Sequence, residues 1–421
     1  MLDTASPSKI TAFRGLNNVT DSLRAGMEWL ATADNVNITD TGAIEKREGY
    51  ALATAFEIEG YEGDIPVFFI PGTGAFTSIY CTLDAQRGYF VAGNKLYAFT
   101  GVPSLAPVLS SDPALATLTA PSAEMFWAEI NDQVFYNNGT DSGIILPDNT
   151  VLQWAWPIPD APTVVAGGTA SSSAAAAGTY QFCCTYLMPD GRETGASATV
   201  SVDLAERQMV VITPPLRAGY ETLVYVAPAN STVFQLLGSM TAPTVQTINP
   251  DNLGRELQTQ FFDPLPAGAT VVQEWKGRIY AAQYMPSVGQ TAVWFSEPLG
   301  FHLFNLSSGY ILVPGQVHML APHKDALIIG TDAMVYSYTG ESMTPIADYG
   351  VVPGKSWDVD GDRLLIWTTR GICSALPFVN LTEKQVSVAP GAHVASCVVH
   401  SGGQKRFVAS IQQGGEAFNA R

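Results

Sequence analysis

Four carboxylates are the first candidates for chemistry in this 421-residue chain: Glu274, Glu297, Asp325 and Asp332. Each lies beside a short apolar run, where a strand would end in a turn. Two such carboxyls, one protonated and one ionised, would serve glycoside hydrolysis if the fold held them roughly 5–10 Å apart. Turn carboxylates are also an ordinary feature of hairpin sequences, because an Asp side chain bonds the backbone close by. Asp358-Val-Asp-Gly-Asp362 has the spacing that opens a calcium loop. The position where such a loop needs its last acidic ligand is Thr369, and Leu364-Leu-Ile-Trp367 follows at once as a strand, so an Asp/Gly turn accounts for the same residues. The histidines are His302, His318, His323, His393 and His400, and none has metal-ligand spacing or a Ser/Asp partnership. His318 and His323, five apart across a strand and turn, would not converge.

Cys81, Cys183, Cys184, Cys373 and Cys397 form no Cys-x-x-Cys pair and no zinc pattern. They read as free, mostly buried thiols of a reducing cytoplasm, with the adjacent Cys183 and Cys184 on opposite faces of a strand. Trp127, Trp154, Trp156, Trp275, Trp294 and Trp367 sit in or beside strands, where they either stack on sugars or pack in the core. No Gly-Lys-[Ser/Thr] loop and no Gly-x-Gly-x-x-Gly between strand and helix is present. The expectation is a protein that is not an enzyme, with no catalytic, cofactor-binding or metal site and no cofactor.

The elements that would carry these residues repeat. In His318–Gly340 the runs Ala326–Ile329 and Met334–Tyr336 are joined by Gly330-Thr331-Asp332, and Val317–Leu320 precedes them. Gly and Asp at such a junction favour a tight turn, so the stretch reads as an antiparallel meander. The same cadence returns in 88–101, 125–145, 275–295, 357–373 and 396–410. A four-strand unit recurring every ~40–50 residues is the signature of a β-propeller. About six or seven blades are expected, with meanders in an ordinary sandwich as the alternative.

The rhythm breaks at Trp156-Pro-Ile-Pro-Asp-Ala-Pro162, where three prolines make a stiff extended linker. Beyond the low-complexity 167–178, short strands are expected at 179–187, 197–202, 209–212 and 222–226, a spacing typical of sandwiches. The stretch Ala177-Gly-Thr-Tyr-Gln-Phe-Cys-Cys-Thr-Tyr-Leu187, continued by Pro189-Asp-Gly-Arg-Glu-Thr194, resembles the immunoglobulin-like or fibronectin-III-like modules of phage structural proteins. The expected organisation is an N-terminal segment with the first blades (1–157), an inserted β-sandwich (158–262) that projects toward a partner, and the remaining blades (263–421).

Only 14% of the residues are charged, and the formal net charge is −17. Acidic chains without basic clusters bind nucleic acid poorly, because duplex binding requires cations that displace counterions. Few charges also point to surface covered by partners or to a large all-β core. No apolar run has the length of a membrane span, and residues 1–8 do not read as a secretory signal.

Near the N-terminus, 21–32 reads as a helix, and Asn35–Arg47 as a hairpin that could close the last blade by pairing with its open edge. Phe13-Arg-Gly-Leu-Asn-Asn-Val19 together with Asp34-Asn-Val-Asn-Ile-Thr-Asp-Thr-Gly-Ala-Ile-Glu-Lys-Arg-Glu-Gly-Tyr50 resembles the N-terminal signature of tail proteins of tailed bacteriophages. More narrowly, it is similar to the propeller-bearing nozzle or hub proteins of short-tailed phages, although a long-tailed phage remains open. The resemblance covers 13–50, and the later units agree in rhythm only. It implies a structural virion protein of the tail, assembled in the host cytoplasm: a homo-oligomeric ring, six-fold in a short tail. Such a ring attaches to other tail, adaptor or fibre proteins and passes genome DNA without specific binding. The alternative is a receptor-binding or carbohydrate-active propeller.

Overall fold

Apolar runs cut by residues that accept positive φ fold back on themselves. Asn131 (52°) with Asp132 (59°), and Lys276 (49°) with Gly277 (73°), place two left-handed residues in succession between strands. That turn matches the twist of an antiparallel pair. A computed structural model describes residues 12–21, 24, 26–34, 36–39, 41–46, 57–58, 76–100, 108–109, 114–401 and 404–413. The described chain is all-β, built from many small antiparallel sheets.

Six of these sheets follow the repeat. The first holds Phe76–Cys81, Arg87–Ala92 and Lys95–Thr100 in sequence, then Val108–Leu109 and Glu57–Ile58. The second is Phe126–Ile130, Gln133–Asn137, Ser142–Ile145 and Val151–Gln153; the third is Val272–Trp275, Arg278–Met285, Gln290–Phe295 and Tyr310–Pro314. The fourth is Val317–His323, Ala326–Thr331, Val335–Tyr338 and Met343–Ala347; the fifth is Trp357–Asp360, Arg363–Thr368, Gly371–Ala375 and Val379–Asn380. The sixth joins His393–Ser401 and Gln404–Gln412 to Gly354–Lys355.

Two compact units emerge. One comprises Met125–Met285 and Thr291–Val313; the other comprises Met1–Glu124, Pro286–Gln290 and Pro314–Arg421. In the former, the second and third sheets share a core that includes Phe135, Trp154, Ile279, Phe301 and Phe304. Phe135 meets Trp154 and Phe301 edge-on, at 5.0 and 5.8 Å between ring centres. Buried Asn137 ties the pair together, its amide donating to the carbonyls of Ala269 (2.6 Å) and Thr270 (2.8 Å). In the other unit, Met319, Ile328 and Val335 of the fourth sheet pack with Leu364 and Ile366 of the fifth. Trp367 and Val394 join the fifth sheet to the sixth.

Between the second and third sheets in sequence stand two further sheets around one core. Thr163–Thr169, Gln208–Thr213 and Thr244–Gln246 form one; Val200–Leu204, Gly178–Leu187, Glu221–Ala227 and Gln235–Met240 form the other, in those orders. Val164, Val210 and Ile212 face Tyr180, Phe182, Cys184, Val224 and Val226 across the core. Cys183 points the other way, into a cluster with Leu223, Tyr225 and Phe234, so adjacent thiols do serve opposite faces. All five cysteines are unpaired; Cys183, Cys184 and Cys373 are buried, while Cys81 and Cys397 are exposed. The strand Thr163–Thr169 runs into the low-complexity stretch, because alternating small residues still satisfy a ladder.

Two N-terminal expectations change. Trp29–Leu30 is a strand, paired in parallel with Gly15–Leu16, rather than part of a helix; Gly26 at φ 81° interrupts a helical path just before it. Residues 22, 23 and 25 lie outside the described residues. Among the described residues, the hairpin Val36–Ile38 with Ile44–Lys46 forms a two-stranded sheet of its own. The sixth sheet is instead extended by Gly354–Lys355, parallel to Val394 and Ala395. Asn35, Asp40 and 47–50 fall outside the described residues, as do residues 1–8.

Phe182 is fully buried at the centre of the two-sheet core. Phe182→Ala should destabilise that core by about 3–5 kcal/mol. Hydrogen exchange on the full chain should then show lost protection at 178–187 and 221–227, with 326–331 unchanged. Equal loss at 326–331 would mean that the two regions unfold as one.

Candidate functional site

Three of the four candidate carboxylates have partners close by. Glu274 caps a turn, accepting from Gly277 N at 2.9 Å. Glu297 lies 3.8 Å from Arg278. Asp332 accepts from Gln316 N at 3.1 Å, and Asp325 is an exposed turn residue. Glu274 and Glu297 belong to the third sheet region and Asp325 and Asp332 to the fourth, each serving its own hairpin.

Asp358 and Asp360 act in the same structural way. Asp358 accepts from Val398 N at 2.6 Å, and Asp360 takes the Lys405 ammonium at 2.5 Å, with His400 3.9 Å away. The calcium-like spacing therefore links the fifth sheet to the sixth. Gly361, at φ 57°, supplies the turn. Among the described residues, no three His, Cys, Asp or Glu side chains are placed to hold a metal ion. Burial depresses the pKa values of His302, His318 and His323. For His318, Asp332 opposes that shift and His393 adds to it. Trp154, Trp275 and Trp367 are buried and used for packing.

The densest polar cluster lies in the sandwich, around a residue that spacing did not single out. Glu193 Oε1 accepts from Thr185 Oγ1 (2.6 Å) and from Tyr225 OH (2.7 Å), and Oε2 accepts from Arg255 Nη2 (2.5 Å). Both oxygens are engaged, so neither is presented to a ligand. Burial, reinforced by Glu193, raises the Tyr225 pKa, and Cys183 behind it is pushed up to about 12, chiefly by burial. The Glu193 carbonyl accepts from His302 Nε2 at 3.0 Å, which puts the imidazole proton on that nitrogen. Arg192, paired with Asp190, also donates to Gln153 O at 3.0 Å. The Asp190–Glu193 turn thereby clamps the sandwich to the second and third sheets. The contacts are made by one turn of the module, at Arg192 and Glu193. The turn was legible as Pro189-Asp-Gly-Arg-Glu-Thr194, but its partners lie up to 109 positions away.

An aromatic group borders this joint. Trp156 and Tyr220 meet edge-on at 4.8 Å, and the Arg217 guanidinium lies 6.0 and 5.6 Å from their ring centres. Trp156 Nε1 donates to Gln153 O.

The N-terminal segments assemble into a second site. Phe13 N donates to Gly42 O, Arg14 N to Glu28 O and Asn17 N to Leu30 O. Arg14 and Glu28 also form an exposed ion pair at 3.1 Å. An open groove of about 690 Å³ runs between these pieces, lined by Phe13, Trp29, Ile38 and Thr41 among others. Asn18 clasps a distant turn: its side chain donates to Ser387 O (3.0 Å) and accepts from Ser387 N (2.7 Å), while its N–H donates to Gln385 O.

No protein-family model matches the chain, and no curated protein matches it. Among solved structures it is similar to the extracellular domain of the BT4673 one-component system of B. thetaiotaomicron, at 9% identity and a TM-score of 0.28, over 76% of this chain. The chain spans only 36% of that structure. It is also similar to Kluyvelomyces marxianus Hsv2, at 10% identity and a TM-score of 0.29, over 81% of this chain and 98% of that one. Citrobacter koseri AztD gives 11% identity and a TM-score of 0.28, over 81% and 90% of the two chains. Similarity at this level assigns neither family nor activity.

Two outcomes follow from the site. Glu193→Ala leaves the hydroxyls of Thr185 and Tyr225 without their acceptor, and should lower stability by about 1–3 kcal/mol. Arg255 is more than half exposed and adds little to that figure. Denaturant midpoints of Glu193→Ala and Glu193→Gln check this, the second keeping part of the network. Glu124, just ahead of the second sheet, has its pKa raised by burial to about 7. The folded state therefore binds its proton more tightly than the unfolded state. Its contribution is complete below about pH 4.5 and is lost as pH rises through 7. Glu124→Gln should be more stable than wild type at pH 8, by on the order of 2–3 kcal/mol, with the difference vanishing near pH 4.5. Parallel stability-versus-pH curves for the two proteins would contradict this.

Proposed function

We propose that this chain is a structural protein of a bacteriophage tail, working as one copy in an axial ring and not as an enzyme. The observation that carries this reading is that the separate pieces of the tail-protein signature, 13–19 and 34–46, converge. Through Phe13, Arg14 and Asn17 they bond with 28–30 and 42 into one knot, which Asn18 fastens to Gln385 and Ser387. A conformation-building role is what a signature without catalytic residues would have.

On this reading the six repeat sheets are the blades of a propeller. Shared apolar clusters between successive sheets, such as Phe135 with Phe304 and Ile328 with Leu364, are the packing a propeller requires. The inserted sandwich is read as a fibronectin-III-like module. Its sheet orders correspond to strands C′-C-F-G and B-E of that fold, with Thr244–Gln246 added beside E. The tail-axis ring is six-fold, meets other tail, adaptor or fibre proteins, and lets DNA pass. With a net charge of −17, firm phosphate contacts would be few, and genome movement would not be braked. Among the described residues, no helix is long and apolar enough to cross a membrane.

The Trp156–Tyr220–Arg217 group favours one second reading, a receptor-binding surface for acidic sugars, since aromatic faces and a guanidinium suit such a ligand.

Electron microscopy of the purified protein and its parent virion should show a ring on the tail axis. Electrophoresis at about 0.15 M salt should show no DNA retardation. Glycan arrays should remain blank. A monomer absent from the virion would overturn the tail reading, and glycan binding abolished by Trp156→Ala would install the second.

A further inference from the structure

We propose that His323 is an acid-operated release for the seam between the fourth and fifth sheets, shut while its imidazole is neutral and opened when the protonated ring turns out toward Asp362. The seam lies within one chain, so the release works whether or not that chain belongs to a tail.

The strand Val317–His323 builds one side of the seam. Its Met319 and Ala321 belong to the apolar cluster that takes in Leu364, Ile366 and Ala375 of the fifth sheet. His323 continues the same two-residue spacing, so pleating turns it to the same face. The register agrees, because His323 stands opposite Ala326, itself a member of that cluster. The last place in an apolar row is thus held by an imidazole. It is only 5% exposed, and its Nε2 is buried without a hydrogen-bond partner among the described residues.

Such a place suits one protonation state. Neutral, the ring carries no charge, and Nε2 can stay a bare acceptor. Protonated, it has a full charge and an N–H at both nitrogens, and a charge in a buried apolar row is unfavourable unless it is paired. Two charged groups act on it from the elements around it. Burial first, and then Lys324 of its own turn, hold its pKa below the ordinary 6.5, while Asp362 acts the other way. Asp362 belongs to the turn between Trp357–Asp360 and Arg363–Thr368 of the fifth sheet, and it is exposed. An imidazolium that pairs with this carboxylate must therefore leave the row. His318, at the other end of the strand, answers to Asp332 and His393 instead. The sign follows from the depressed pKa: the unfolded or opened state binds the proton more tightly, so the seam weakens as pH falls. Its His323 contribution is complete above about pH 6.5 and is lost below it.

Hydrogen exchange of the full-length protein, corrected for the intrinsic effect of pH on exchange, tests this. Between about pH 7.5 and pH 5, wild type should lose protection roughly tenfold or more at 326–331 and 363–368, the strands that face each other across the seam. His323→Phe, which fills the row and cannot titrate, should keep that protection at the acid end. His302→Gln, at a buried imidazole elsewhere, should lose it as wild type does. Asp362→Asn removes the outer partner and should move the loss to lower pH. Should His323→Phe misfold, His323→Gln decides, since it also cannot titrate and must also resist acid. Wild type that keeps its protection through the acid range overturns the proposal. So does a folded His323 variant that loses as much as wild type, a His302→Gln that resists acid as His323→Phe should, or an Asp362→Asn whose loss stays at the wild-type pH or moves upward.

Discussion

A short antiparallel sheet that is apolar on both faces cannot stand in water, and the rest of this structure follows from that constraint. The second strand of each repeat sheet shows it most directly. Ala326–Thr331 is buried at every position, and Gln133–Asn137 at all but its first. Outer strands such as Tyr310–Pro314 and Val379–Asn380 are largely exposed or half-buried. Burial therefore falls across a sheet from its inner strands outward, and each sheet must find neighbours for both faces of its second strand. The clusters around Phe135 and Trp154, and around Ile328 and Leu364, supply those neighbours. Hydrophobic burial contributes roughly 25 cal/mol per Å², so stacking of sheets, rather than any polar contact, holds the repeat together.

Turn chemistry explains how much of this was legible. Asn131-Asp132 and Lys276-Gly277 occupy left-handed φ, and such residues between apolar runs located all six sheets. Runs buried on both faces carry no two-residue period, so the arrangement of strands in space was not readable from alternation. The adjacent Cys183 and Cys184 were readable, because pleating alone sends neighbours to opposite faces. Long-range partners were not. Glu193 meets residues 8, 32 and 62 positions away, and no local pattern announces such a meeting. The same holds for Asn18 and Ser387, 369 positions apart, and for the parallel pairing of Gly354–Lys355 with Val394 and Ala395.

Several polar groups position sheets. Asn137 fixes the second sheet to the approach of the third, Asp358 and Asp360 fix the fifth to the sixth, and Glu193 with Arg192 and His302 fixes the sandwich. Each is a carboxylate, amide, imidazole or guanidinium facing backbone or a counter-charge at a joint between elements. Such contacts contribute modest stability, but they are directional, and directional bonds choose one docking among the many that apolar faces permit.

Charge then has a consistent distribution. Arg14, Arg192, Arg255, Arg278, Arg370 and Lys405 each lie within ion-pair distance of a carboxylate, which leaves a negative excess distributed over the remaining surface. A cation already paired is a poor phosphate ligand, because binding phosphate would require breaking the existing pair as well as releasing counterions. These six pairs use basic side chains within the chain, several of them at joints between elements, and leave the acidic excess to the remaining surface.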